Sequence, residues 1–152
     1  MKKMTIAVDA MGGDNAPQAI CEGAAQACAE FDDLEVVLTG DREKLLPLVE
    51  GCPSAVRSRM SIRHADEVIG MDEHPSAAIR SKRNSSLRVA MEMVRSGEAQ
   101  GCVSAGNTGA IVAGGRAGGG TPAGDRPAGA WGAAAHHRAL DLLAGRGRYG
   151  AL

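Results

Sequence analysis

The chain has 152 residues, is 44% apolar and carries a formal charge of −1. That length supports one domain with a buried core, and the charge balance argues against a general nucleic-acid binder. No apolar run approaches the ~18 residues needed to cross a membrane, and Asp9 interrupts the first apolar run too early for a signal peptide, so a cytoplasmic protein is expected.

Met4–Asp9 is a short apolar run suited to a buried strand. A loop rich in turn formers, Ala10-Met11-Gly12-Gly13-Asp14-Asn15-Ala16-Pro17, follows it. Pro17 suits a helix start, with Asp14 or Asn15 as a candidate cap, and Ala19–Glu30 reads as an Ala-rich helix. Leu34–Thr39 reads as a second strand, Arg42–Glu50 as a helix and Ser61–His64 as a short third strand. Asn84-Ser85-Ser86 can cap a helix over Leu87–Arg95, whose Leu87, Ala90, Met91 and Val94 form one stripe. Ser96-Gly97 closes that helix. Gly101–Ser104 reads as another strand, and Ala110–Ala113 opens a further helix. Strands alternating with helices indicate βαβ units and a mostly parallel sheet.

Cys21, Cys28, Cys52 and Cys102 show neither a CxxC pair nor metal-ligand spacing. They are expected to be buried, reduced thiols, with no metal site.

The average charge hides a break. Residues 1–113 carry net −4 and residues 114–152 net +3. The second segment holds 11 Gly and 10 Ala, with no Lys, Glu, Val or Ile. Such a composition has little to pack with and loses much backbone entropy on folding. The division expected is therefore 1–113 as the domain and 114–152 as a poorly ordered tail.

Two loops have the layout that binds anions: a strand, then Gly and small polar residues, then a helix. The first is Asp9-Ala10-Met11-Gly12-Gly13-Asp14. It is neither a Walker A loop nor GxGxxG. Its two carboxylates would repel a bare phosphate unless they orient donors or bind a cation. A tight turn capped by Asp14 fits the same residues. The second is Ser104-Ala105-Gly106-Asn107-Thr108-Gly109, which offers two hydroxyls, an amide and two glycines with no acidic group. That set suits phosphate or a developing oxyanion, and an ordinary strand-to-helix turn fits equally. Between them, Arg80-Ser81-Lys82-Arg83-Asn84-Ser85-Ser86-Leu87-Arg88 is a basic cluster ahead of a helix start. It could hold phosphate or be a solvated charged face. His64 and His74 read as surface residues, and no catalytic base is assigned.

Several stretches together are more specific than any one. Ile6–Asp14, Ala65-Asp66-Glu67-Val68-Ile69-Gly70-Met71-Asp72, Pro75-Ser76, Ser85–Ala90 and Val103–Ala110 occur in this order. The set closely resembles the amino-terminal part of the bacterial phosphate acyltransferase family of phospholipid synthesis, over residues 4–113. The resemblance implies an α/β/α three-layer sandwich of the isopropylmalate-dehydrogenase-like type. It implies transfer of a fatty acyl group from acyl carrier protein to inorganic phosphate. It also implies a homodimer, peripheral at the membrane, that hands its product to a membrane glycerol-3-phosphate acyltransferase. No cofactor is expected, because the acyl-phosphopantetheine arm of the carrier is substrate. Gly106, Asn107 and Thr108, with Ser104, are expected near phosphate as backbone and side-chain donors. Gly12, Gly13 and Asp14 are expected to shape the opposite wall, and Lys82 and Arg83 to neutralise charge.

After Ala113 the resemblance fades, although Asp125-Arg126-Pro127-Ala128 resembles a family segment. With GC-rich codons, Ala135–Arg138 and Ala144–Arg148 read one base over give family-like peptides, so a shifted reading frame is the expected cause. The competing expectations are an inactive fragment that at most binds phosphate-like anions, and a relative acting on acetyl-coenzyme A. A nucleotide-binding module fits least.

Overall fold

The computed structural model describes residues 3–117. Within them, β1 (Met4–Asp9), α1 (Gln18–Glu30), β2 (Leu34–Gly40), α2 (Arg42–Glu50), α3 (Ser54–Arg57), β3 (Met60–His64), α4 (Pro75–Ser81), α5 (Ser86–Arg95), β4 (Gly101–Val103) and α6 (Thr108–Ala117) follow one another. The four strands form one sheet in the order β3-β2-β1-β4, and every pairing is parallel. The α/β class and the parallel sheet expected from the sequence are what the structure has.

Alternation along the strands separates two apolar layers. Val8, Val36 and Leu38 join Ile20, Cys21, Ala24, Ala27 and Cys28 of α1 and Leu45 of α2 in one cluster. Ala7 joins Ala90 and Met93 of α5 in another, with Val37 packed against it. Helices therefore cover both faces of the sheet. Right-handed crossovers require this. The chain winds outward from β1 to β3 with helices on one face, then returns past β1 to β4 with α4 and α5 on the other. A third cluster, containing Ile69, Ala78, Ile79, Leu87, Met91 and Ala110, binds α4, α5 and α6 together.

Local chemistry explains where the helices start and stop. The Asp41 carboxylate accepts the Glu43 amide at 3.0 Å and starts α2. The Ser85 hydroxyl accepts the Arg88 amide at 3.2 Å and starts α5, as the Asn84–Ser86 signal predicts. Gly97 closes α5 with φ +85°, a conformation that favours glycine. The expected α5 stripe is nearly right: Leu87, Ala90 and Met91 are buried, and Met93 is buried where Val94 is half-buried. All four cysteines are free thiols; Cys21 and Cys28 are buried and Cys52 and Cys102 half-buried.

Two boundaries differ from expectation. Neither Asp14 nor Asn15 caps α1 through its side chain; Pro17 is the cap residue and makes no such bond. The Asn15 carbonyl instead takes the Ala19 amide at 3.1 Å, and both Asp14 and Asn15 are exposed. Helix α6 begins at Thr108 rather than Ala110, because the Asn107 side chain caps it. This helix also runs through Ala117, across the compositional break placed after Ala113. The expected poorly ordered tail otherwise lies outside the described residues.

Candidate functional site

In an open α/β sheet, ligands bind beyond the carboxyl ends of the strands, at the point where the winding reverses. Here that point lies between β1 and β4, since β1 connects to one side and β4 returns on the other. Val8 pairs with Val103, so Asp9 and Ser104 leave the sheet side by side. Both Gly-rich loops identified in the sequence therefore begin at the switch point.

The loops touch. A Cβ on Gly12 would stand 2.5 Å from Asp9 Oδ2 and 3.0 Å from both Gly106 N and Ser104 Oγ. A Cβ on Gly106 would stand 3.3 Å from Gly12 Cα. Gly13, at φ +102°, turns against the Ala105 carbonyl. The two loops thus form one packed unit, in which Gly12 and Gly13 support the second loop directly. Asp14 is exposed and has no hydrogen bond among the described residues.

A short relay runs through this unit. The Gly106 amide donates to Ser104 Oγ at 3.1 Å, and the Ser104 hydroxyl donates to Asp9 Oδ2 at 2.7 Å. The other Asp9 oxygen accepts the Met11 amide at 3.2 Å. Asp9 is only 3% exposed. Burial pushes its carboxyl above the ordinary range, opposed by hydrogen bonds from the Ser86 and Ser104 hydroxyls and the Met11 and Gly12 amides. Of the loop's two acids, Asp9 is thus the one held by hydroxyl and amide donors.

Asn107 is also buried, and its side chain is fully engaged. Its amide donates to the carbonyls of Gly70 and Glu73, each at 3.1 Å. Its oxygen accepts the Ala110 amide at 3.1 Å and so caps α6. Through these bonds Asn107 ties the 70–73 turn to the helix start. The Ser104 hydroxyl and the Gly106 amide are likewise committed inside the protein. Free donors remain one step further on. The first-turn amides of Thr108 and Gly109 have no intrahelical acceptor, and Thr108 is exposed. Gly109 also governs packing. A Cβ there would meet Pro75 Cγ at 2.5 Å, so its lack of a side chain lets α6 approach α4.

The basic cluster is largely structural. Lys82 Nζ donates to the Val68 carbonyl at 2.8 Å and to Glu73 Oε2 at 2.7 Å. Arg88 donates to the Ile79 carbonyl at 2.9 Å, near the carboxyl end of α4, where a cation is favourable. Arg80 donates to the Ser76 carbonyl at 3.1 Å. Arg83 is exposed. Glu73 also accepts the Gly70 amide at 2.5 Å. The Lys82 bond and then that amide hold the Glu73 carboxyl below the usual range. Lys82 therefore supports the turn that Asn107 grips. His64 and His74 are exposed; His64 accepts the Arg42 amide, and His74 caps α4.

Sequence reasoning missed Thr39, and read Ser86 only as part of a helix cap and a basic cluster. Thr39 is fully buried and donates to the Ser86 carbonyl at 2.7 Å, joining the end of β2 to the start of α5 beside Asp9. A lone Thr before Gly40 carries no signal that could have marked it.

Two Gly-rich loops packed together at the switch point of a parallel sheet make this an α/β chain whose candidate site lies at the β1/β4 junction. The chain belongs to the family described as fatty acid synthesis protein, whose model matches residues 4–128. It is 48% identical over 113 residues to a phosphate acyltransferase of Pseudomonas putida, covering 74% of this chain and 34% of that protein. Phosphate acyltransferases of Geobacillus thermodenitrificans and Streptococcus pneumoniae are 50% and 51% identical over 112 and 115 residues, each with 33% of its length covered. The chain spans about a third of the length of the curated relatives it matches. Among the described residues, no helix is long and apolar enough to cross a membrane.

Proposed function

We propose that this chain carries the phosphate-holding part of an enzyme that transfers a fatty acyl group from acyl carrier protein to inorganic phosphate. The observation that supports it is the packed pair of loops at the β1/β4 switch point, which leaves the first turn of α6 free to receive an anion. In the reaction a phosphate oxygen attacks the thioester carbonyl of the acyl-phosphopantetheine arm. The resulting tetrahedral oxyanion collapses, the carbon–sulfur bond breaks, and the thiolate leaves with the carrier. A thiolate leaves readily, so no covalent enzyme intermediate is needed.

What the protein must then do is hold phosphate in line, exclude water and stabilise developing charge. The Thr108 and Gly109 amides and the Thr108 hydroxyl supply donors, and the α6 dipole favours the anion. Gly106, Ser104 and Asn107 shape the loop, and Gly12 and Gly13 back it. Arg83, as an exposed cation, adds positive potential. In this reading the fold is of the isopropylmalate-dehydrogenase-like type, and the enzyme works as a cytoplasmic homodimer, peripheral at the membrane. Its acyl phosphate passes to a membrane glycerol-3-phosphate acyltransferase.

The test is acyl-phosphate formation by the purified chain, supplied with long-chain acyl carrier protein and phosphate and trapped with hydroxylamine. Acyl hydroxamate that depends on both substrates supports the reading. Phosphate binding without hydroxamate supports instead a chain that binds phosphate-like anions without turning over.

A further inference from the structure

We propose that Asp9 is a positioning residue for the anion-binding turn, acting through Ser104 on the loop that aims the first-turn donors of α6. This rests on the phosphate-holding role given above to that turn, and deepens it.

Three observations meet on one line of atoms. The Gly106 amide donates to Ser104 Oγ, and the Ser104 hydroxyl donates to Asp9 Oδ2. Ser104 has a single hydroxyl proton, so its direction is set by Asp9, and its lone pairs then face the Gly106 amide. Gly106 lies two residues before Thr108, and Asn107 between them is clamped by three hydrogen bonds. The peptide that leads into α6 is therefore fixed at both ends.

Gly12 completes the line. The space where its Cβ would stand is already taken by Asp9 Oδ2, Gly106 N and Ser104 Oγ. Asp9 is itself anchored by the Met11 amide of the loop that follows β1. Thr39 holds the α5 start that faces it, through the Ser86 carbonyl. The carboxylate thus joins the ends of β1 and β4, while Thr39 ties the neighbouring start of α5 to the end of β2. A buried carboxylate is expensive to keep in a merely structural turn, and its position behind the donor loop gives it a use. It sets the donors' direction while staying out of contact with the anion, which its own charge would repel.

The test is steady-state kinetics of acyl-phosphate formation with phosphate and acyl carrier protein varied in turn. Calorimetric titration of inorganic phosphate runs in parallel, with circular dichroism to verify folding. Ser104→Ala keeps the backbone and removes the relay. It is expected to raise the phosphate KM and the phosphate dissociation constant roughly tenfold, the scale of one misaligned bond to a charged group. The KM for acyl carrier protein should stay within about twofold. Asp9→Asn should have a similar effect, and the double variant should be no worse than either single one, because residues of one relay are non-additive.

If Asp9→Asn does not fold, Ser104→Ala decides alone. Unchanged phosphate KM and affinity in Ser104→Ala, equal rises for both substrates, or additive effects in the cycle would overturn the proposal. A wild-type chain that binds phosphate but forms no acyl phosphate would fail the catalytic reading, while the Ser104→Ala titration still judges the relay. A wild-type chain that binds no phosphate overturns both.

Discussion

At the scale of single residues, polar side chains that look like ligands in the sequence are mostly engaged with the protein itself. Lys82 is the clearest case, since its ammonium lies between the Val68 carbonyl and Glu73. Removing it should act on the 70–73 turn. Because the native Glu73 carboxyl is lowered, it stabilises the fold above its unfolded value near 4.5, and that contribution is lost as pH falls through the native value. Lys82→Ala should therefore raise the Glu73 titration midpoint, read by carboxyl NMR. The stability gap between wild type and variant should also shrink as pH drops below about 5. A midpoint that does not move would show that the Gly70 amide alone holds Glu73. Asp9 obeys the opposite sign. Its carboxyl is raised, so ionising it works against the fold as pH rises, and it is retained beside hydroxyls and amides that offset that cost.

At the scale of elements, small residues decide how closely helices approach. Helix α6 lies against α4 and α5 because Gly109 and Gly114 carry no side chain: a Cβ on the first would strike Pro75, and on the second Met91. Gly109→Ala should destabilise the protein by roughly 1–3 kcal/mol, as overpacking does, despite the better helix propensity of alanine. Urea denaturation followed by circular dichroism checks this, and a stabilised variant would show that α6 can move away from α4 freely. The same displacement should weaken phosphate binding, since the first turn of α6 would shift with it. Capping works alongside packing. Asp41, Ser85 and Asn107 each satisfy a first-turn amide, and two of these three caps sit next to the switch point.

At the scale of the whole molecule, the sheet is the organising element. The cluster beneath α1 and α2 is the largest, and Leu38 lies fully buried within it. Leu38→Ala should cost about 2–5 kcal/mol in chemical denaturation, by lost transfer energy and the cavity left behind. A much smaller loss would mean that α1 and α2 collapse onto the space. On the opposite face Ala7 and Ala90 are small and fully buried, which allows α5 to sit close to β1. That close seat brings the amino end of α5, with Ser85 and Ser86, to Asp9 at the mouth of the sheet. Strand order, helix placement and the buried carboxylate are thus parts of one arrangement around the β1/β4 junction.

Among the described residues, period-2 and helical apolar patterns, turn residues and caps marked every strand and four of the six helices to within two residues at their starts. They did so because those signals are local in the chain. The two Gly-rich loops were legible for the same reason, and their order along the chain pointed to the family. What each polar group does was not legible. Nothing local to Ser104 shows that its proton goes to Asp9, 95 positions earlier, or that the Asn107 amide closes on Gly70 and Glu73. Parallel pairing of β1 with β4 created those neighbours, and a hydrogen bond depends on proximity and direction that residue type alone does not supply. By itself the sequence determined an α/β chain with two Gly-rich strand-to-helix loops; the tertiary structure decided which of their donors are engaged inside the protein.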